Sequence, residues 1–474
     1  MNIQELANSI NGQIKGADEF FTDFTGRFLF LNNADNGDIV IRHWINDKGV
    51  EMAASKNISC LITQNPKDGA LEKAEEINFP LIVVDKIELA SAYALKHAIS
   101  NFSPDSKNVI ITGTNGKSTT SHLIYHIIDN AGFRVLTNTD SESEFNTLID
   151  PMVANMVASE VIEKGPLDYL VIEVSEVQGW LGNLMKNHAY LMADAVSANV
   201  GVITNIAMDH IGLVNSIDEV FNEIQAVPNA IKDSLILNHD DELVMRIDSS
   251  KNNFYCSMNK LDDSKNNIYY DDGVVYDGEV ILRPEELPFN SYHFIQNILS
   301  AVGACIALGI DIEDIREGVK SYKSLNRRFS RISEDPLIFD DFAHNPDGIK
   351  ATIKESLKLV PEGKTLHVAC AIRGSRGVDI NKLNAEALVE SFNDNIELYL
   401  SSSIDVVDNL NVVIDEEREI FFEVLNRNNI GFKHFDNLVD TLETVCREAS
   451  EGDVILLIGA QGMDPAEGFL KDII

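Results

Sequence analysis

Residues 109–120 read VIITGTNGKSTT, and this stretch leaves the chain little freedom in how it folds. Four β-formers run into Gly113, Gly116, Lys117 and Ser118, and the apolar, helix-like run HLIYHIID follows at once. The order is strand, tight glycine turn, helix N-terminus. Glycines in such a turn let backbone N–H groups approach phosphate oxygens, and the helix dipole adds partial positive charge at the same point. Lys117 can reach terminal phosphates, and Ser118 can hold Mg²⁺. The general phosphate-loop pattern has a further glycine five residues before Gly116, where this chain has Ile111. The bland alternative is an ordinary glycine turn entering a helix; the GK-[ST] run in strand–helix context favours phosphate.

A chain of 474 residues is too long for one core and suggests two to four domains. The 38 basic residues stand against 75 acidic ones, a formal net charge of −37. That balance argues against nucleic acid and anionic membranes as partners, since both need a positive surface. A nucleotide must therefore be drawn in by local groups against a repulsive field. The five cysteines (Cys60, Cys256, Cys305, Cys370, Cys446) are scattered, with no CxxC pair. Neither a disulfide framework nor a zinc knuckle is supported, and a reduced, cytoplasmic setting is expected. The start MNIQELANSI lacks the basic and apolar regions of a signal peptide, and no apolar run is long enough to span a bilayer.

The pattern predicts an α/β protein of three domains. In a small N-terminal α/β domain (1–104), SCLIT (59–63) and PLIVV (80–84) read as buried strands flanking the helix-prone DGALEKAEEI. A helix through LASAYALKHAI and the polar junction NFSPDS (101–106) close it. The central domain (105–326) is predicted to be a P-loop ATPase-like parallel sheet. Its strands are NVIIT (108–112), YLVIEV (169–174), VGVITNI (200–206) and SLILN (234–238). Polar residues 249–290 read as short hairpins or loops, and HFIQNILSAVGACIALGI as a buried helix. A C-terminal Rossmann-like α/β domain (327–474) follows the junction SLNRRFSR, with strands LIFDDF, LHVACAI, ELYLSS and VILLIGA. Asn345 and Pro346 suit the N-cap and first position of a helix.

Downstream of the glycine turn, Glu173 lies at the end of LVIEV, where open α/β sheets bind ligands. It reads as a Mg²⁺ ligand, since hard cations take carboxylate oxygen, or as a polar strand-end residue. Asp209 and His210 close GVITNIAMDH; a lone histidine is more often structural, but its place beside a phosphate site makes it a metal-ligand candidate.

These segments together resemble the Mur ligase superfamily, the ATP-dependent amide-forming ligases that build cell-wall peptides. The resemblance rests on GTNGKST (113–119), EVSE (173–176), TNIAMDHIG (204–212), LNHDD (237–241), HFIQNILSA (293–301), NRRF (326–329) and DDFAHNPDGI (340–349). They keep the family's order over about 240 residues. Weaker similarity covers GVEMAASKNISCLIT (49–63), AIRGSRG (371–377) and GAQGMDP (459–465).

The resemblance implies ATP and Mg²⁺ as cofactors. Thr114, Asn115, Gly116, Lys117, Ser118 and Thr119 would hold the ATP phosphates; Ser118, Glu173 and His210 would hold magnesium, with Lys117, Glu173 and His210 the catalytic set. Asn297 matches an adenine-contacting asparagine. Arg328 and Asp341 match residues that contact the ribose and help close the C-terminal domain. Asn146, Thr147 and Arg376 are candidate substrate-binding residues. His344, Asn345 and Pro346 would shape their loop. The implied partners are a UDP-linked peptide precursor, bound by the N-terminal domain, and an amino acid, bound by the C-terminal one; a monomer is the default.

Departures narrow the reading. Many family members carry a carbamylated lysine fourteen or fifteen residues after the histidine; here Ile224 and Gln225 stand there, which puts a second magnesium in question. Phe294 stands where the family often has asparagine, and 401–415 has no DNPR-type motif, against a diaminopimelate or lysine substrate. A domain precedes the glycine loop, unlike in folate-polyglutamate ligases, and there is no ATP-grasp region as in cyanophycin synthetases. Acidity, the missing lysine and the GAQGMDP ending are most similar to archaeal pseudomurein peptide ligases. The alternatives are a related ligase of another pathway, such as poly-amino-acid synthesis or cofactor glutamylation, and a non-catalytic ATP-binding regulatory subunit.

Overall fold

Three helix-layered sheets and a two-stranded ribbon (Gly179–Trp180 with Asn183–Leu184) make up the α/β architecture of the computed structural model, which describes residues 1–139, 151–180, 183–209, 213–288, 291–409 and 411–474. The chain forms two compact units: residues 1–207 with 216–322, and residues 208–215 with 323–474.

The first unit begins with a sheet ordered Gly12–Lys15, Leu81–Val84, Cys60–Pro66, Ile39–Ile45, Phe28–Leu29. All neighbours run parallel except Gly12–Lys15, which is antiparallel to Leu81–Val84. The strand beside Cys60–Pro66 is the segment IVIRHWI, which the sequence pattern does not single out. Its Arg42 and His43 interrupt the apolar run, yet Ile39, Val40 and Ile41 are fully buried. Helix Ile87–Phe102 buries Ala90, Ala94 and Ala98, and these small side chains let it pack closely on helices Met152–Lys164 and His188–Val196.

The second sheet of this unit has nine strands among the described residues. Its order is Glu279–Leu282, Val274–Tyr276, Asn267–Tyr270, Asn252–Ser257, Ser234–Asn238, Val200–Ile203, Lys107–Thr112, Tyr169–Glu173, Val135–Thr137. Every pair is parallel from Val135–Thr137 to Asn267–Tyr270; only the last two strands turn back as hairpins. The segment read as loops is thus partly sheet: Asn252–Ser257 extends the parallel run, with Phe254 and Cys256 buried and Asn253 and Tyr255 half-buried between polar ends. Val109, Ile111, Leu123, Ile127, Val202, Ile236 and Ile298 fill the core between the sheet and helices Lys117–Asn130 and Tyr292–Leu308. Register aligns Thr112 with Ile203 and Ile111 with Glu173, so the polar residues that follow these strands emerge along one edge.

The second unit holds the sheet Ser330–Glu334, Leu337–Asp341, Val454–Ile458, Leu366–Ala371, Ile396–Ser401, Phe432–Phe435, parallel except for its first strand. Both faces are covered, so Val454–Ile458 is buried at every position, as expected of an interior parallel strand. No helix among the described residues is long and apolar enough to cross a membrane.

Candidate active site

The glycine turn owes its shape to a neighbouring strand. Gly113 has φ +121°, and a Cβ there would sit 2.3 Å from Thr204 Oγ1. Gly116 has φ +83°, and its Cβ would meet Asn297 Oδ1 at 2.3 Å. Both positions therefore exclude other residues twice, by dihedral and by space. The segment after Val200–Ile203 braces the loop. Thr114 N–H donates to Asn205 O (3.0 Å), Asn115 N–H donates to Asn205 Oδ1 (2.9 Å), and Asn205 Nδ2 returns a bond to Asn115 O (2.7 Å). Thr114 Oγ1 donates to Ala207 O at 3.1 Å and accepts from Ala207 N–H at 3.0 Å. The amides of Thr114 and Asn115 are thus committed to holding the turn. A helix's first-turn amides lack intrahelical partners by geometry, and the turn opening at Lys117 is therefore the kind of place where an anion binds.

Asp241 of LNHDD secures the brace: its Oδ2 accepts Ile206 N–H at 2.9 Å, its Oδ1 accepts Leu243 and Val244 N–H, and Asn238 Nδ2 donates to Thr204 O. The sequence shows these residues but not that they cross to the loop.

Lys117 lies along the turn, its Nζ donating to Gly113 O (2.7 Å), Thr114 O (2.9 Å) and Glu176 Oε2 (2.9 Å). Ser118 Oγ donates to Glu173 Oε1 at 3.0 Å. Glu173 is fixed by strand neighbours: its N–H donates to Asn138 Oδ1 and its carbonyl accepts from Asn138 Nδ2, while Thr139 Oγ1 lies 3.1 Å from Oε2. Asn138 and Thr139 follow the three-residue strand Val135–Thr137, too short to be read as a strand from sequence. Asn297 backs Gly116 from helix Tyr292–Leu308, its Oδ1 accepting from Thr120 Oγ1 at 3.4 Å. A hydroxyl and a carboxylate 3.0 Å apart are hard oxygen donors that suit Mg²⁺, an ion that retains several waters. Among the described residues no group of three or more His, Cys, Asp and Glu could hold a metal by itself.

The first unit thus brings together 114–119, Glu173 and Asn297. His210, Asn146 and Thr147 lie outside the described residues. Gln225, in the place of the family's lysine, is exposed and donates to Asn222 Oδ1.

The second unit carries Arg328, Asp341 and Arg376. Asp341 ends its strand half-buried, Oδ1 accepting from Ala343 N–H (2.8 Å) and Thr352 Oγ1 (3.2 Å). Burial raises its pKa, and the nearby Arg328 opposes that rise. Arg328 lies over the Phe342 ring, 5.2 Å from its centroid, and Arg327 lies 5.0 Å from the same centroid. Arg327, which the motif reading passed over, is the buried one of the pair. It bonds Asp340, Asp464 and the carbonyls of Gly459 and Ala460, tying NRRF to GAQGMDP.

Asn345 caps helix Pro346–Leu357 by accepting from Gly348 N–H (2.9 Å), and His344 Nδ1 donates to Phe342 O (2.8 Å), both shaping the loop. Arg373 Nη1 lies 3.3 Å from Asp209 Oδ1, within the same unit. The loop bearing Arg376 folds around buried Glu417, whose carboxylate accepts the N–H groups of Ser375, Arg376, Gly377 and Ile414.

A glycine turn with a lysine arm, set at a helix N-terminus on the carboxyl edge of a parallel sheet beside an oxygen-donor pair, defines a nucleotide-binding α/β protein. The chain belongs to the Mur ligase family: the Mur ligase middle domain matches residues 111–305, and the Mur ligase, glutamate ligase domain matches residues 327–461. Members of this family are ATP-dependent ligases. A UDP-N-acetylmuramate–L-alanine ligase of Caldicellulosiruptor bescii is 27% identical over 376 residues, covering 75% of this chain and 74% of that protein. In fold, MurF from Acinetobacter baumannii superposes with a TM-score of 0.70 at 17% identity, covering 99% of this chain and 98% of that one. A pseudomurein peptide ligase type C from Methanothermus fervidus gives a TM-score of 0.60 at 20% identity, covering 92% of this chain and 95% of that one.

Proposed function

We propose that this protein is a cytoplasmic ligase that adds an amino acid to a nucleotide-linked cell-wall peptide precursor, using ATP and releasing ADP and phosphate. The observation that carries this reading is the set Lys117, Ser118 and Glu173 around the braced glycine turn, with Lys117 Nζ lying along the turn on its carbonyls and on Glu176, and Ser118 Oγ bonded to Glu173.

A carboxylate does not condense with an amine unaided at neutral pH. In the proposed reaction an oxygen of the acceptor's carboxylate attacks the γ-phosphorus, and the bond to the ADP oxygen breaks, giving an acyl phosphate. The amine nitrogen then attacks the acyl carbon; phosphate leaves, and the nitrogen's extra proton goes to solvent or a base. Lys117 and the first-turn amides hold the triphosphate and offset its charge, so positioning and electrostatics supply most of the rate. Ser118 and Glu173, with His210, would hold Mg²⁺, which when bound neutralises phosphate charge. Asn297 would contact the adenine, and Arg328 and Asp341 the ribose. We assign acceptor binding to residues 1–104, ATP to 105–326 and the amino acid to 327–474, with Asn146, Thr147 and Arg376 as substrate contacts and a monomer as the working unit.

Among acceptors we favour pseudomurein precursors. Acidity, Gln225 and the GAQGMDP ending support this, as does the fold likeness to the Methanothermus enzyme. The relative from Caldicellulosiruptor, by its name, takes UDP-N-acetylmuramate and L-alanine, so that pair belongs in the same screen. The test is ADP release across UDP-linked peptides, UDP-N-acetylmuramate and amino acids, with mass spectrometry of the products. Turnover that needs both an acceptor and an amino acid, and is abolished in Lys117→Ala, is expected. Turnover surviving that change would overturn the role of Lys117, and tight ATP binding with no turnover on any mixture would favour a regulatory subunit.

A further inference from the structure

We infer that Glu176 is a positioning residue for Lys117: its carboxylate stands where a phosphate oxygen will bind, and nucleotide enters by displacing it. The inference rests on the proposed reading of the glycine turn as the ATP site.

An ammonium group has three N–H donors, and Lys117 Nζ lies within hydrogen-bond distance of three acceptors among the described residues. Two are carbonyls of the turn itself, Gly113 and Thr114, which keep the arm lying along the loop. The third, Glu176 Oε2, is the anionic one, and a carboxylate oxygen offers an ammonium the same chemistry as a phosphate oxygen. The side chain of Glu176 is 1% exposed and that of Lys117 15% exposed, so this pair is far less screened than a surface ion pair.

The carboxylate is also held in place. Val174 N–H donates to Ile111 O at 2.8 Å, which continues the sheet one residue beyond Glu173. Ser175 Oγ donates to Val177 O at 2.6 Å and turns the chain, while Val174 and Val177 are each 1% exposed and anchor both sides of Glu176. Within EVSE the first glutamate therefore addresses Ser118 and the second Lys117. A triphosphate reaching Lys117 must share one cation with a buried carboxylate or replace it. Sharing sets two anions side by side out of water, so replacement wins and the pair must break before phosphate binds.

The experiment is equilibrium titration of ATP and ADP, with Mg²⁺, into the full chain as wild type, Glu176→Gln, Lys117→Met and the double variant. Glu176→Gln is expected to tighten both nucleotides on the order of tenfold, the equivalent of about 1.4 kcal/mol of competing ion pair. Lys117→Met is expected to weaken both, and adding Glu176→Gln to it to change affinity less than about twofold, because the competition acts through Lys117. Glu176→Asp keeps the charge on a shorter arm and is expected to tighten binding by a smaller factor; it carries the test should the glutamine variant not fold. Unchanged or weaker binding by Glu176→Gln overturns the inference. Equal tightening in the Lys117→Met background overturns it too, since that is a general charge effect. Nucleotide binding that needs Lys117 but ignores Glu176 sinks only this inference; no binding by the wild type sinks the ligase reading itself.

Discussion

Ser118 and Glu173 come from different elements, one the first turn of a helix and the other the end of a parallel strand, yet hydroxyl and carboxylate meet at 3.0 Å. The contact depends on strand register, on Asn138 clasping the Glu173 backbone and on the glycine turn delivering the helix at one angle.

Replacing Glu173 by Gln keeps its size and removes the charge of the oxygen pair. ADP release at saturating ATP is expected to fall by about 100-fold or more, and the Mg²⁺ concentration for half-maximal rate to rise by about 10- to 100-fold. A steady-state Mg²⁺ titration checks this; an unchanged requirement would remove Glu173 from the metal site.

Gly116→Ala meets two obstacles, a φ of +83° and Asn297 Oδ1 at 2.3 Å. A destabilisation of about 1–3 kcal/mol is expected, together with loss of nucleotide binding, because the helix N-terminus must shift to make room. Adding Asn297→Gly relieves the clash but not the dihedral, so thermal unfolding should recover only in part.

Arg327 and Asp340 form a buried pair, with Asp340 only 1% exposed. Burial pushes the Asp340 pKa up to about 6, with Arg327 opposing. Arg327→Ala leaves that carboxylate without its cation and is expected to cost about 3–5 kcal/mol of stability at pH 7.5. Because the folded pKa lies above the ordinary 3.8, the charged form disfavours folding and the associated stability is lost as pH rises through 6. The deficit of the variant should therefore be smaller at pH 5, which denaturant unfolding at the two pH values will show. Arg328→Ala is expected to cost little stability and instead raise KM for ATP.

His188 is 1% exposed, and among the described residues neither ring nitrogen has a hydrogen-bond partner; burial lowers its pKa to about 4. The unfolded chain binds this proton near pH 6.5, so the unfolded state holds more protons between about 4 and 6.5. Stability is full above that window and declines as pH falls through it. His188→Leu should resist acid better, its advantage over wild type growing by about 2 kcal/mol between pH 7 and pH 4.5 in denaturant titrations.

The sequence was most legible where chemistry and periodicity coincide. Gly113, Gly116, Lys117 and Ser118 follow a strand and open a helix within twelve residues, and Glu173 ends an apolar run, so their places could be read directly. Asn345 likewise caps its helix as its neighbour Pro346 suggests. What stayed hidden are contacts between distant segments. Asn205 gripping Asn115, Asp241 holding Ile206 and Glu417 gathering the amides of 375–377 leave no periodic trace, because each is a single polar residue, two of them in loops and Glu417 in the first turn of a helix. Strand Ile39–Ile45 was obscured by Arg42 and His43, and Val135–Thr137 by its length. Arg327 and Arg328 look alike in NRRF; only burial separates a structural clamp from a candidate ligand contact.

The brace from Asn205 to the glycine turn has a bearing on transplanting this site. Thr114 and Asn115 owe their conformation to the backbone carbonyl and side-chain amide of a residue some ninety positions later, just past the end of the adjoining strand. A graft of 113–119 alone into another parallel sheet would carry the letters of the motif without its form. The smallest portable piece is two neighbouring strands with both of their following loops, and a designer who wants a phosphate cradle must move them as one.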